Sequence, residues 1–150
     1  MIRTGFTVVR LAVAFVLLSA AAACSADNRA VLHTAKGDFA FAVEIADTEA
    51  SRAKGLMFRT ALAPDAGMLF DYHREQQAAF WMQNTLIPLD MIFIGADGIV
   101  KTIHVNARPM DTTSIPSEVP VRFVLEIAGG RSVEIGLKVG DRMDHPRVGK

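Results

Sequence analysis

Asp90 and Glu126 are carboxylates set inside apolar runs. Asp90 stands in Pro88-Leu89-Asp90-Met91-Ile92, and Glu126 is the only acid between Val121 and Ile127. Burying such a group is costly unless it is paired or hydrogen-bonded, so each acid is either held by a partner or aimed at something outside the fold. Arg59 follows Leu56-Met57-Phe58; its stem can be buried while its planar fork reaches Asp90 or Glu126. If both carboxylates face one cavity, general acid–base work on a saccharide becomes conceivable. Between the two acids and Arg59 lies the single Trp of the chain, Trp81, in the run Phe80-Trp81-Met82-Gln83-Asn84-Thr85. At a pocket mouth its ring would stack on a sugar, a base or a cation; in a core its N–H would find a carbonyl. Asn84 either bonds the backbone of its own turn or offers its amide to a ligand beside Thr85. Arg59, Trp81, Asn84, Asp90 and Glu126 are therefore the candidate ligand-binding set.

Other chemistries find little support. His33, His73, His104 and His145 share no metal-ligand spacing, so a metal site would have to be assembled from distant loops. Met57, Met68, Met82 and Met91 read as core filler. No glycine run is followed by Lys-Ser or Lys-Thr, which removes a phosphate loop. Sixteen Lys and Arg balance sixteen Asp and Glu, so no basic field favours nucleic acid. No metal and no cofactor is expected, and one Cys excludes an intramolecular disulfide.

Residues 1–23 read as an export signal: Arg3 and Arg10, then the apolar run Leu11 to Leu18, then small residues to Ala23. That run of eight residues is short against the roughly 20 that span a bilayer. Cys24 after Ala21-Ala22-Ala23 resembles a bacterial lipobox, with Ala21 where Leu is usual. Lipidation at Cys24 would anchor the protein to a membrane; ordinary cleavage near Ala23 or Ala26 would leave it soluble with one thiol.

Residues 24–29 read as a tether, 30–145 as a single domain and 146–150 as a frayed tail. Strands are expected at Ala30–Thr34 and Phe39–Ile45, with Phe39, Phe41, Val43 and Ile45 on one face. Asp47 or Thr48 caps a helix. Short strands follow at Met68–Phe70, Ala78–Met82, Leu89–Ile94, Ile99–Val105 and Val121–Ile127, with Asp71–Gln77 and Arg108–Pro120 as loops and a helical turn from Arg131. About seven or eight short strands with one substantial helix predict a mainly β (α+β) domain, an antiparallel sandwich or barrel with one or two short helices.

Several runs together resemble a known family. Gly55-Leu56-Met57-Phe58-Arg59, Gly67-Met68-Leu69-Phe70, Trp81 to Asp90, Val124-Leu125-Glu126 with Gly129 or Gly130, Gly136 and Gly140-Asp141 are similar, in order and spacing over about residues 39–143, to the domain-of-unknown-function 192 family. That bacterial and archaeal family often carries an export signal. The resemblance implies a jelly-roll-like β-sandwich and no established activity.

The sequence thus predicts an exported envelope protein, on the periplasmic side and lipid-anchored if Cys24 is modified. Its expected role is a non-catalytic module that binds a small polar or glycan-like ligand near Trp81, Asn84 and Asp90. Two alternatives stand beside it: a hydrolase using Asp90 and Glu126 as acid–base pair, and a structural or assembly protein acting through protein contacts.

Overall fold

A computed structural model describes residues 28–150; the export signal and Cys24 lie outside the described residues. Nine strands and two short helices follow in the order β1 (Arg29–Thr34), β2 (Gly37–Ala46), α1 (Glu49–Lys54), β3 (Ala66–Gln76), β4 (Ala79–Phe80), β5 (Leu89–Ile94), β6 (Val100–Ala107), β7 (Ile115–Pro116), β8 (Val121–Ala128), α2 (Arg131–Glu134) and β9 (Arg142–Asp144). The fold is mainly β with two short helices, as its strand patterning predicts.

Seven strands form one sheet in the order β6-β5-β8-β3-β2-β1-β9, and β4 pairs with β7 in a small second sheet. The pairing is antiparallel except between β2 and β3, which run parallel. The expected all-antiparallel arrangement fails there because α1 and the chain to Ala66 form a crossover, and a crossover returns the strand in the same direction. The sheet curls until its edges meet: Ile99 bridges Arg142, and the Val100 amide donates to the Asp141 carbonyl at 2.8 Å.

Curling gives the sheet an inner and an outer face, each with its own core. Leu32, Phe41, Leu69, Ile92, Phe123 and Met143 fill the inside. Met68, Phe70, Met91, Phe93 and Val124 belong to a second cluster, covered from outside by Leu56 and Met82. Strand β5 is buried along its whole length, which explains its continuous apolar run. In β8 the period of two sends Phe123, Leu125 and Ile127 inward and Val124 and Glu126 outward.

Three boundaries differ from the sequence expectation. Asp71–Gln76 continues β3 rather than forming a loop, because Asp71 is buried and held by Arg122 and Arg147 at 3.1 and 3.3 Å. The strand expected over Ala78–Met82 shrinks to β4, since Met82 turns away to donate to the Asp111 carbonyl at 2.8 Å. The tail is docked rather than frayed: Arg147 bridges Asp47 (3.0 Å) and Asp71 (3.3 Å), and Arg122 donates to the Lys150 carbonyl.

Candidate functional site

Asp90 is fully buried, and its carboxylate is saturated by its own fold. Oδ1 accepts from the amides of Asn106 (2.7 Å) and Gly130 (2.8 Å). Oδ2 accepts from the Ser132 amide (2.7 Å) and hydroxyl (2.6 Å). These bonds tie the end of β6 and the start of α2 to β5. Asp90 is in register with Ile127 and its neighbour Met91 with Glu126, so the two acids project to opposite faces of the sheet. The structure therefore does not assemble Asp90 and Glu126 into an acid–base pair, and it leaves Asp90 no free oxygen for a ligand.

Arg59 is likewise placed elsewhere. It pairs with Glu44 at 2.7 Å on the exposed side of β2 and reaches neither Asp90 nor Glu126. The tight turn after Leu56, where Phe58 takes φ 65°, directs it outward.

Glu126 is different. Its side chain leaves the centre of β8 between Met68 of β3 and Met91 of β5, the residues directly opposite it. Neither neighbour carries a charge. It is 4% exposed, and among the described residues its carboxylate has no hydrogen-bond or ion-pair partner. Desolvation, with nothing to offset it, pushes its pKa up to about 8.

The carboxylate faces an open cavity of about 350 Å³ between α1 and the outer face of the sheet. Trp81, Tyr72, Phe80 and Thr85 line it together with Leu56 and Arg52 of α1 and its C-terminal turn. Trp81 is 54% exposed and stands at the mouth, not in the core. It is thrown outward because Phe80 and Met82 on either side are anchored. Phe80 packs edge-on to Phe70 (4.9 Å) and Phe93 (6.0 Å), and Met82 is fully buried. Asn84 makes the turn that follows, at φ 55°. Its amide points to the Met57 sulfur at 3.9 Å, behind the cavity wall. Thr85 is buried and lends its hydroxyl to the Gln83 carbonyl at 3.3 Å.

Arg52 lines this cavity, yet it is committed. It donates to the carbonyls of Asp47 (2.7 Å) and Asp71 (3.1 Å) and lies over the Tyr72 ring at 5.1 Å. The Tyr72 hydroxyl is pushed above its ordinary pKa, first by burial, with Arg52 opposing and the Glu126 charge adding.

The structure thus brings Trp81 and Glu126 together, sets Asn84 at the margin, and removes Asp90 and Arg59. Sequence reasoning passed over Tyr72, Phe80 and Arg52. Tyr72 was legible in principle: extending the β3 alternation Met68, Phe70 by one step puts it on the same outward face. A larger groove of about 900 Å³ runs beside β1 and β9. There Asp144 meets Arg142 at 3.0 Å and His33 at 2.9 Å. Among the described residues no three His, Cys, Asp or Glu gather as metal ligands.

Comparison with known proteins gives a consistent family and no activity. The model of DUF192, described as an uncharacterized ACR, matches residues 31–145. A crystal structure of a protein of unknown function from Novosphingobium aromaticivorans is 44% identical with a TM-score of 0.76, covering 77% of this chain and 83% of that one. A candidate transcription regulator from Sinorhizobium meliloti is 42% identical with a TM-score of 0.77, covering 79% of this chain and 93% of that one. No curated protein matches the chain.

Proposed function

The chain belongs to the DUF192 family, whose description carries no activity, and we propose from its own geometry that it is a non-catalytic module binding a small polar ligand. One observation carries the reading: a buried carboxylate without a partner among the described residues, Glu126, at the floor of a cavity whose mouth is a half-exposed Trp81. A cavity of about 350 Å³ lies within the usual range for small-molecule sites. Trp81 offers a face for a sugar-like ring, and Glu126 offers acceptors for hydroxyl or amino groups. An acid–base pair of Asp90 and Glu126 finds no support, since Asp90 is spent on α2.

The same proposal places the protein in the cell envelope, supported by the charged, apolar and small-residue order of residues 1–23 and by Cys24, whose lipidation would add a membrane anchor. The regulator name of the Sinorhizobium meliloti protein is not carried over, because a formal net charge of zero gives no electrostatic footprint for DNA.

The protein-contact reading keeps one supporting observation. Phe58, Trp81, Leu86 and Met110 are all exposed, and their loops are laced together by Phe58 N to Asn84 O (2.8 Å) and Met110 N to Thr85 O (3.1 Å). Exposed apolar side chains grouped in this way mark contact surfaces. A thermal-shift and Trp81-fluorescence screen of sugars, nucleotides and amines separates the two readings. A saturable hit whose thermal shift is lost in Trp81→Ala supports ligand binding. Silence across the panel from a folded protein removes it and leaves the contact surface.

A further inference from the structure

Resting on that pocket reading, we propose that the ligand carries a protonated primary amine, whose ammonium group docks on the Glu126 carboxylate against the rings of Trp81, Tyr72 and Phe80. Among the described residues nothing hydrogen-bonds the Glu126 carboxylate, and its cross-strand neighbours are the thioethers of Met68 and Met91. An ionised carboxylate in an apolar wall calls for charged N–H donors. A neutral hydroxyl would bring one weaker bond and no charge.

The walls fit the same group. Phe80 is fixed by Phe70 and Phe93, and Tyr72 and Trp81 complete an aromatic lining; aromatic faces attract cations. The chain's own cations do not fill the position. Arg52 is held by the Asp47 and Asp71 carbonyls. The other charged or titratable groups at the cavity are Glu49 and Lys54 of α1 and Tyr72 of β3. Strand β5 sends its acid, Asp90, to the opposite face.

A consequence follows for protons. The free carboxyl titrates near 8, whereas an alkylammonium stays charged well above that. Docking the ammonium therefore ionises Glu126, and its proton leaves to solvent. Affinity should be roughly fifty-fold weaker at pH 6 than at pH 8, the ratio of ionised fractions for a group titrating near 8.

The test uses the full chain and three probes of one shape: benzylamine, benzyl alcohol and benzoate. Binding is read by Trp81 fluorescence, which reports this cavity alone because the chain has a single Trp. Saturable quenching by benzylamine, absent with the other two, lost in Glu126→Gln and weakened at pH 6, is the expected result. Equal binding of the alcohol or the acid, or benzylamine binding that survives in Glu126→Gln, overturns the ammonium while leaving a ligand pocket. Silence of all three probes alongside a sugar or nucleotide hit in the broader screen does the same. Silence of both panels overturns the pocket itself. Should Glu126→Gln fail to fold, the pH dependence of the unaltered protein decides: no weakening between pH 8 and pH 6 overturns the proposal.

Discussion

At the scale of a residue, two buried acids of one chain have opposite fates because of what surrounds each. Asp90 meets four donors within 2.8 Å, and Glu126 meets methionines. The difference predicts an unusual pH profile for Glu126→Gln. The carboxyl has an ordinary value near 4.5 and rises to about 8 in the fold. A raised pKa stabilises the fold fully below the ordinary value and loses that contribution as pH climbs to the folded one. Glu126→Gln should therefore resemble the unaltered protein near pH 4.5 and exceed it near pH 8 by on the order of a few kcal/mol. Urea titrations at both values measure this, and identical pH dependence in the two proteins would show that the carboxyl is not desolvated. A residue that lowers stability at working pH is commonly kept for function.

At the scale of an element, α2 exists because Asp90 holds it. Four residues make too short a helix to persist alone, and its N-cap, Gly130, has no side chain to cap it. Asp90 supplies that cap from across the chain through Gly130 and Ser132. Asp90→Ala leaves those buried donors orphaned and should cost about 3–5 kcal/mol in denaturant unfolding, with Trp81 emission of the folded protein unchanged. A near-neutral stability change with loss of ligand binding would instead return Asp90 to the site. The pocket wall depends on a comparable close fit: a Cβ on Gly67 would lie 2.5 Å from the Glu126 carbonyl oxygen, so β3 and β8 approach as they do only with glycine there.

At the scale of the whole molecule, one buried hub joins the C-terminal tail to the middle of the chain. Asp71 gathers Arg122, the His73 amide and Arg147. Burial pushes its carboxyl up, but those partners more than offset it and hold the pKa below the ordinary 3.8. A lowered pKa contributes stability above the ordinary value that is lost as pH falls through the folded one. Removing residues 146–150 should therefore lower stability by about 1–2 kcal/mol at neutral pH, and the deficit should shrink below pH 4 as Asp71 protonates. An undiminished deficit in acid would assign the tail's effect to packing of its apolar atoms. Near neutrality the Asp38–His33–Asp144 contacts, at 2.7 and 2.9 Å, raise the His33 pKa and tie β1 to β9.

Period and turn chemistry by themselves determined much of this protein. Alternation over Phe39–Ile45 and Val121–Ile127, the Thr48 cap and the continuous apolar run of β5 are local signals. Local sterics and burial answer to them directly, so the mainly β class, α1 and most strand positions were legible. The run around Trp81 also identified the family. Pairing is not local. Whether Asp90 meets Arg59, Glu126 or a ring of amides depends on which strands become neighbours and on a register in which one residue reverses the face. Only the tertiary structure decided that Asp90 and Glu126 part to opposite sides, that Arg59 goes to Glu44, and that Tyr72 joins Trp81. The same register left Glu126 between two methionines, where its charge has no partner among the described residues.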